Sequence, residues 1–117
     1  MLIKQEPEIE QRIPPFIIPL SKSMYTIVDR DLYQFLRKFH WRAIRSAHTF
    51  YAVAKLSFVG QFHYIKMHRL IAKTPLGMVC HHINGNSLDN RRSNLVNLSR
   101  EDHDSLFSHL KSRGSRQ

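Results

Sequence analysis

Residues 80–95 read CHHINGNSLDNRRSNL. His81 and His82 stand side by side at the head of a segment with four asparagines, one aspartate, one glycine and two arginines. So few core-forming side chains leave packing a poor explanation for the pair. A neutral imidazole is a good ligand for a divalent metal and a good general base near neutral pH. Adjacent residues on a strand point to opposite faces. One of the two histidines can therefore bind a metal while the other addresses a water. Asn94, further along the loop, is placed to accept the second ring proton of a histidine and so fix its tautomer. His103 follows on a segment of helical pattern, on the side that carries Leu106 and Phe107. Cys80 is the single cysteine. It could join a zinc site with His81 and His103, but the absence of any CxxC argues against a structural zinc finger.

The elements that must position these groups follow from pattern. FIIPL (16–20) suits an edge strand and MYTIV (24–28) a short apolar one. Asp29 can cap a helix over 30–38, where Leu32, Phe35, Leu36 and Phe39 share one face. Segments 41–44, 50–58 and 62–67 are rich in β-branched and aromatic residues, with turns at 46–48 and 60–61. They predict a three-stranded antiparallel meander. A short helix is expected over 68–72, a strand over 78–82, a polar loop, a strand over 95–98, and a final helix after the capping sequence Ser99-Arg100-Glu101-Asp102.

The whole has 117 residues, the size of one domain. Eighteen Lys and Arg against nine Asp and Glu give a formal charge of +9. That balance favours a polyanionic partner, nucleic acid first and a membrane surface second. No stretch is long and apolar enough to span a bilayer. The first residues, MLIKQEPEIEQR, lack the apolar core of a signal peptide. One cysteine excludes an internal disulfide, and a cytoplasmic setting fits.

The stretch HHINGNSLDNRRSNL, followed by a histidine at position 103, resembles the HNH endonuclease motif, the ββα-metal fold, and within it the phage and intron homing type. Upstream, IPLSKSMYTIVDRDLYQFL, HWRA, FYAV and KMHRLIAKTPLGMV are similar to the sheet region that precedes the motif in that group. The likeness spans about residues 17–111. It implies an α+β fold: an N-terminal antiparallel sheet with a helix, then a C-terminal ββα-metal unit. The expected division is a flexible arm (1–15), a sheet subdomain (16–75), the nuclease motif (76–111) and a basic tail (112–117).

The resemblance implies a metal-dependent DNA endonuclease acting through one ion, of homing or nicking type. His82 matches the general base and Asn94 the asparagine that holds it. His81 and His103 stand at the metal-ligand positions, His81 where this group usually has an aspartate. A neutral donor in place of an anionic one favours Mn²⁺, Ni²⁺ or Zn²⁺ over Mg²⁺. Beside such a motif Arg91 and Arg92 are expected to contact phosphates of double-stranded DNA, with Arg42, Arg45, Lys111 and Arg113 as further cations. Asp89 and Asn90 are expected to stabilise the loop, His68 to be structural, and Trp41, Phe50 and Tyr51 to pack the sheet. The rival class is a DNA-binding module that keeps the scaffold without cutting. A weaker third is an RNA-binding protein. The chain would act as a monomer or homodimer.

Overall fold

Pro15 precedes the first described strand, which ends at Pro19, and short strands and short helices follow. The computed structural model describes residues 15–113, with side chains described through Leu106. The expected arm and the end of the basic tail lie outside these residues. Strands β1 (Phe16–Pro19) and β2 (Tyr25–Val28) form an antiparallel hairpin in which Phe16 opposes Val28. Helix α1 (Arg30–Leu36) follows. Strands β3 (Trp41–Ser46), β4 (Thr49–Phe58) and β5 (Gln61–Lys66) make the expected antiparallel meander. Helix α2 (Met67–Ala72) leads to β6 (Met78–His82), which pairs antiparallel with β7 (Leu95–Ser99) across the polar loop. Helix α3 (Arg100–Arg113) is the last described element. The fold is α+β, built from small antiparallel sheets. No described helix is long and apolar enough to cross a membrane.

Period-two alternation decides which sheet face is core. Trp41 and Ala43 on β3, and Ala52 and Ala54 on β4, are buried on one face. Trp41, Ala52 and Ala54 join Ile18, Val28, Leu36 and Met67 in one cluster. The two alanines on the central strand let that layer pack closely. Helix α1 stops at Leu36, short of the expected Lys38. The Trp41 indole Nε1 donates to the Leu36 carbonyl at 2.7 Å, satisfying a group that the helix end leaves open. The apolar stripe is also narrower than its spacing suggests: Leu36 is fully buried, whereas Phe35 is 46% exposed at the margin, edge-on to Phe39. Asp29 occupies the cap position without capping; its carboxylate accepts the Arg92 backbone N–H instead. Ser99 does cap α3, accepting the Asp102 N–H at 3.0 Å.

The polar loop of residues 83–94 is not free. The Ile27 N–H donates to the Leu88 carbonyl and the Asn90 N–H to the Ile27 carbonyl, at 2.9 and 2.8 Å. These bonds form a parallel bridge between Ile27 and Asp89. The Thr26 hydroxyl donates to Leu88 O as well. On the other side Ser87 bonds to the Phe50 carbonyl and to the Thr49 hydroxyl. Hydrogen bonds thus cross the expected 75/76 boundary at several points, and α2 is tied to β6 and β7 through Arg69 to Met78 O and Asn97 to Ala72 O.

Asn90 is the hub of this seam, 1% exposed. Its Nδ2 donates to Thr26 Oγ1 at 2.9 Å, with Met67 Sδ at 3.5 Å, while Oδ1 faces His82 Nε2 at 2.8 Å. Replacing Asn90 by Ala leaves a buried imidazole N–H without its acceptor, which costs about 1–3 kcal/mol. Urea unfolding of Asn90→Ala should show that loss, and an unshifted midpoint would contradict the hub role.

Candidate active site

Strand β6 separates its two histidines as alternation requires. His81 turns toward α3, where its ring lies edge-on to that of His103 with centroids 5.9 Å apart. His82 turns to the opposite side, into the seam, and is 8% exposed. His103 comes from the first turn of α3, where it is half-buried while its neighbours from Arg100 to Asp104 are exposed. The capped helix start and the β6–β7 register together set its place.

The His81–His103 pair suits a divalent ion. With metal–nitrogen bonds of about 2 Å, one ion fits between rings at that spacing. Burial, and then the neighbouring His103, lower the His81 pKa, so the ring is neutral and able to donate at neutral pH. Among the described residues no three His, Cys, Asp or Glu side chains gather around one point. Among the described residues the pair would offer an ion two nitrogen donors, leaving its other positions to ligands from elsewhere. Cys80 takes no part: its buried thiol donates to the His68 carbonyl at 3.6 Å, and burial raises its pKa.

The tautomer of His82 follows from the network around it. Thr26 Oγ1 uses its one proton on Leu88 O, so it accepts from Asn90 Nδ2. Asn90 Oδ1 must then face His82 Nε2, which carries the proton. The lone pair of the neutral ring is left on Nδ1. Burial lowers the His82 pKa, with the Asn90 bond acting the other way.

His68 and Tyr51 back this ring. The His68 and His82 centroids are 4.9 Å apart at 35°, and His68 stacks on Tyr51 at 5.3 Å and 25°. Burial first, then the proximity of His82, Lys66 and Arg69, pushes the His68 pKa down to about 3. In the unfolded chain the same ring titrates near 6.5. Its contribution to stability is full above pH 6.5 and is lost as the pH falls toward 3, at about 1.4 kcal/mol per pH unit. The melting temperature should fall between pH 6.5 and 4, and fall less steeply in His68→Phe. Equal slopes in the two proteins would rule His68 out as the cause.

One expectation is corrected here. Asn94 does not hold His82. Its Oδ1 accepts the Asn84 N–H and its Nδ2 donates to Asp89 O, at 2.9 and 2.8 Å, so it pins the loop to itself. Asn90 makes the bond to the imidazole. Spacing gave no signal for this, because both asparagines lie in one polar loop and only docking on β2 separates them. Arg91 and Arg92 are likewise engaged with carboxylates. Arg91 clasps Asp89, itself 2% exposed, through Nε and Nη2 at 2.8 and 2.7 Å. Arg92 clasps Asp31 through both terminal nitrogens, and its backbone N–H reaches Asp29. Pairing with Arg91 and Arg92, respectively, holds the carboxyls of Asp89 and Asp31 below their usual range. Both arginines brace the loop. Arg42 and Arg45 are exposed on β3, on opposite faces. The side chains of Lys111 and Arg113 lie outside the described residues.

Residues 66–105 match the family model for an HNH endonuclease. That segment is similar to HNH endonucleases. It takes in α2, the two histidines of β6, the bracing loop, β7 and the first turn of α3 with His103. The match begins at Lys66, just ahead of α2 and inside the span expected for the sheet subdomain, and side-chain bonds tie α2 to β6 and β7. No curated protein and no solved structure matches the chain.

Proposed function

We propose that this protein is a metal-dependent DNA endonuclease of the phage or intron HNH type, with β6, β7 and α3 as its ββα-metal element. The observation that carries the reading is the divergence of the paired histidines. His81 meets His103 on one side of β6, and His82 is held as a neutral, singly oriented imidazole on the other.

In this reading His82 takes a proton from water on Nδ1 as the hydroxide oxygen bonds to phosphorus. The P–O3′ bond breaks, the 3′ oxygen leaves and gains a proton, and the products are a 5′ phosphate and a 3′ hydroxyl. Asn90 fixes the tautomer and plane of the base. His81 and His103 would hold the divalent ion, which supplies charge stabilisation to the scissile phosphate and the leaving oxygen. Two neutral donors favour Mn²⁺, Ni²⁺ or Zn²⁺ over Mg²⁺.

The rival reading, a DNA-binding module that no longer cuts, draws on the histidine at position 81, where the group it resembles usually has an aspartate. A supercoiled plasmid incubated separately with each of the four metals decides between them. One site per chain cuts one strand at a time, so open circles should precede linear product. Binding without cleavage in every metal would leave only the module.

A further inference from the structure

Three of the nine acidic residues stand together as Glu6, Glu8 and Glu10. Of the other six, Asp29, Asp31 and Asp89 are engaged with Arg91 and Arg92, and Glu101, Asp102 and Asp104 lie in α3. Residues 15–100 carry thirteen Lys and Arg against three Asp and Glu. The acidic run thus adjoins the part of the chain with the largest surplus of cations.

That run leads through Pro14 and Pro15 into β1. Beside β1 a cleft of about 390 Å³ opens toward the end of α1 and the start of β3. Tyr33, Phe39 and Trp41 give it aromatic rings, and Arg37, His40 and Arg42 give it cations. The Arg37 guanidinium lies 5.6 Å from the Tyr33 ring centre. Tyr33 is in turn edge-on to Phe16, the first residue of β1, at 4.6 Å, and the Arg30 guanidinium lies 4.4 Å from the centre of that same Phe16 ring. The cleft therefore begins where the chain enters the fold. A guanidinium held against a ring is pre-set to take a carboxylate. Among the described residues no carboxylate forms an ion pair with Arg30, Arg37 or Arg42.

We propose that residues 6–10 of this chain dock along the cleft, with the Glu6, Glu8 and Glu10 carboxylates on Arg30, Arg37 and Arg42, as an anionic strap that a polyanionic partner has to displace. Glutamates at every second position of an extended segment share one side, about 7 Å apart. Arg30 and Arg37 are two helical turns apart, about 10 Å. Glu10 is five residues from Pro15 and Glu6 is nine, so an extended chain carries them at most about 17 and about 31 Å. Exposed ion pairs are weak singly. The tether raises the local concentration of the strap enough to seat it, and leaves it displaceable. The inference stands apart from the endonuclease reading.

Energy transfer in the full chain tests it. Trp41 is the only tryptophan, and Cys80, the only cysteine, is buried. A dansyl group on the new thiol of Gln5→Cys accepts energy from Trp41. Transfer should be strong at about 0.01 M salt and fall several-fold at about 1 M, as the screening length drops from about 30 to about 3 Å. Replacing Arg37 and Arg42 together by Gln should lower it at low salt, and so should replacing Glu6, Glu8 and Glu10 by Gln, which leaves the described fold untouched. Inorganic polyphosphate added to the parent should lower it too. Equal transfer in the parent and in the glutamine variants overturns the docking. Transfer that grows with protein concentration puts the strap on a second copy and overturns the intramolecular contact. Transfer that polyphosphate does not move overturns the displacement.

Discussion

His82→Ala should reduce phosphodiester cleavage by about 10²–10⁴-fold, the usual contribution of a positioned general base, while duplex affinity measured in chelator stays within about twofold of the parent, since binding rests mainly on phosphates met elsewhere. The expectation follows from three features of the ring. It is buried, it is neutral at physiological pH because burial lowers its pKa, and its single ring proton is fixed on Nε2 by Asn90. The side chain therefore offers one lone pair in one orientation. Quantified plasmid nicking in Mn²⁺, set beside anisotropy on the same preparation, separates catalysis from binding. A variant that cuts as fast as the parent would remove His82 from the chemistry. Because the ring packs on His68, circular dichroism must accompany the assay to confirm that the variant is folded.

The second large effect concerns the ion. His81→Ala and His103→Ala should each lower affinity for Mn²⁺ or Zn²⁺ by at least 10- to 100-fold, the loss seen when even an outer partner of a metal ligand is removed. Calorimetric titration of metal into the protein without DNA reads this directly, independent of any cleavage. The geometry behind it is the 5.9 Å spacing of the two rings on the face of β6 away from His82. His81→Asp should move the preference toward Mg²⁺, since a carboxylate replaces a nitrogen donor with a hard, anionic oxygen. Metal affinity that is equal in the parent and in both alanine variants would place the ion elsewhere.

Local patterning carried most of the secondary structure into the sequence. The meander, the Ser99 cap and the strand ending in the paired histidines all arise from alternation, β-branched content or capping chemistry, which act over a few residues. The divergence of His81 and His82 is of the same kind, because neighbours on a strand always face apart. The early end of α1 is different: it depends on the Trp41 indole reaching back to the Leu36 carbonyl.

What the amino-acid order determined by itself was the likeness to the HNH motif and the spacing of its histidines. What only the tertiary structure decided was how the loop's polar side chains are shared out. Asn90 reached His82, and Asn94 did not, because the loop lies along β2, where Thr26 and Ile27 take up Asn90 from a distant part of the chain. Arg91 and Arg92 pair with carboxylates because folding buried Asp89 beside the first and brought Asp31 beside the second. A buried donor or acceptor must find a partner, and which partner it finds depends on segments that meet only when the chain has folded.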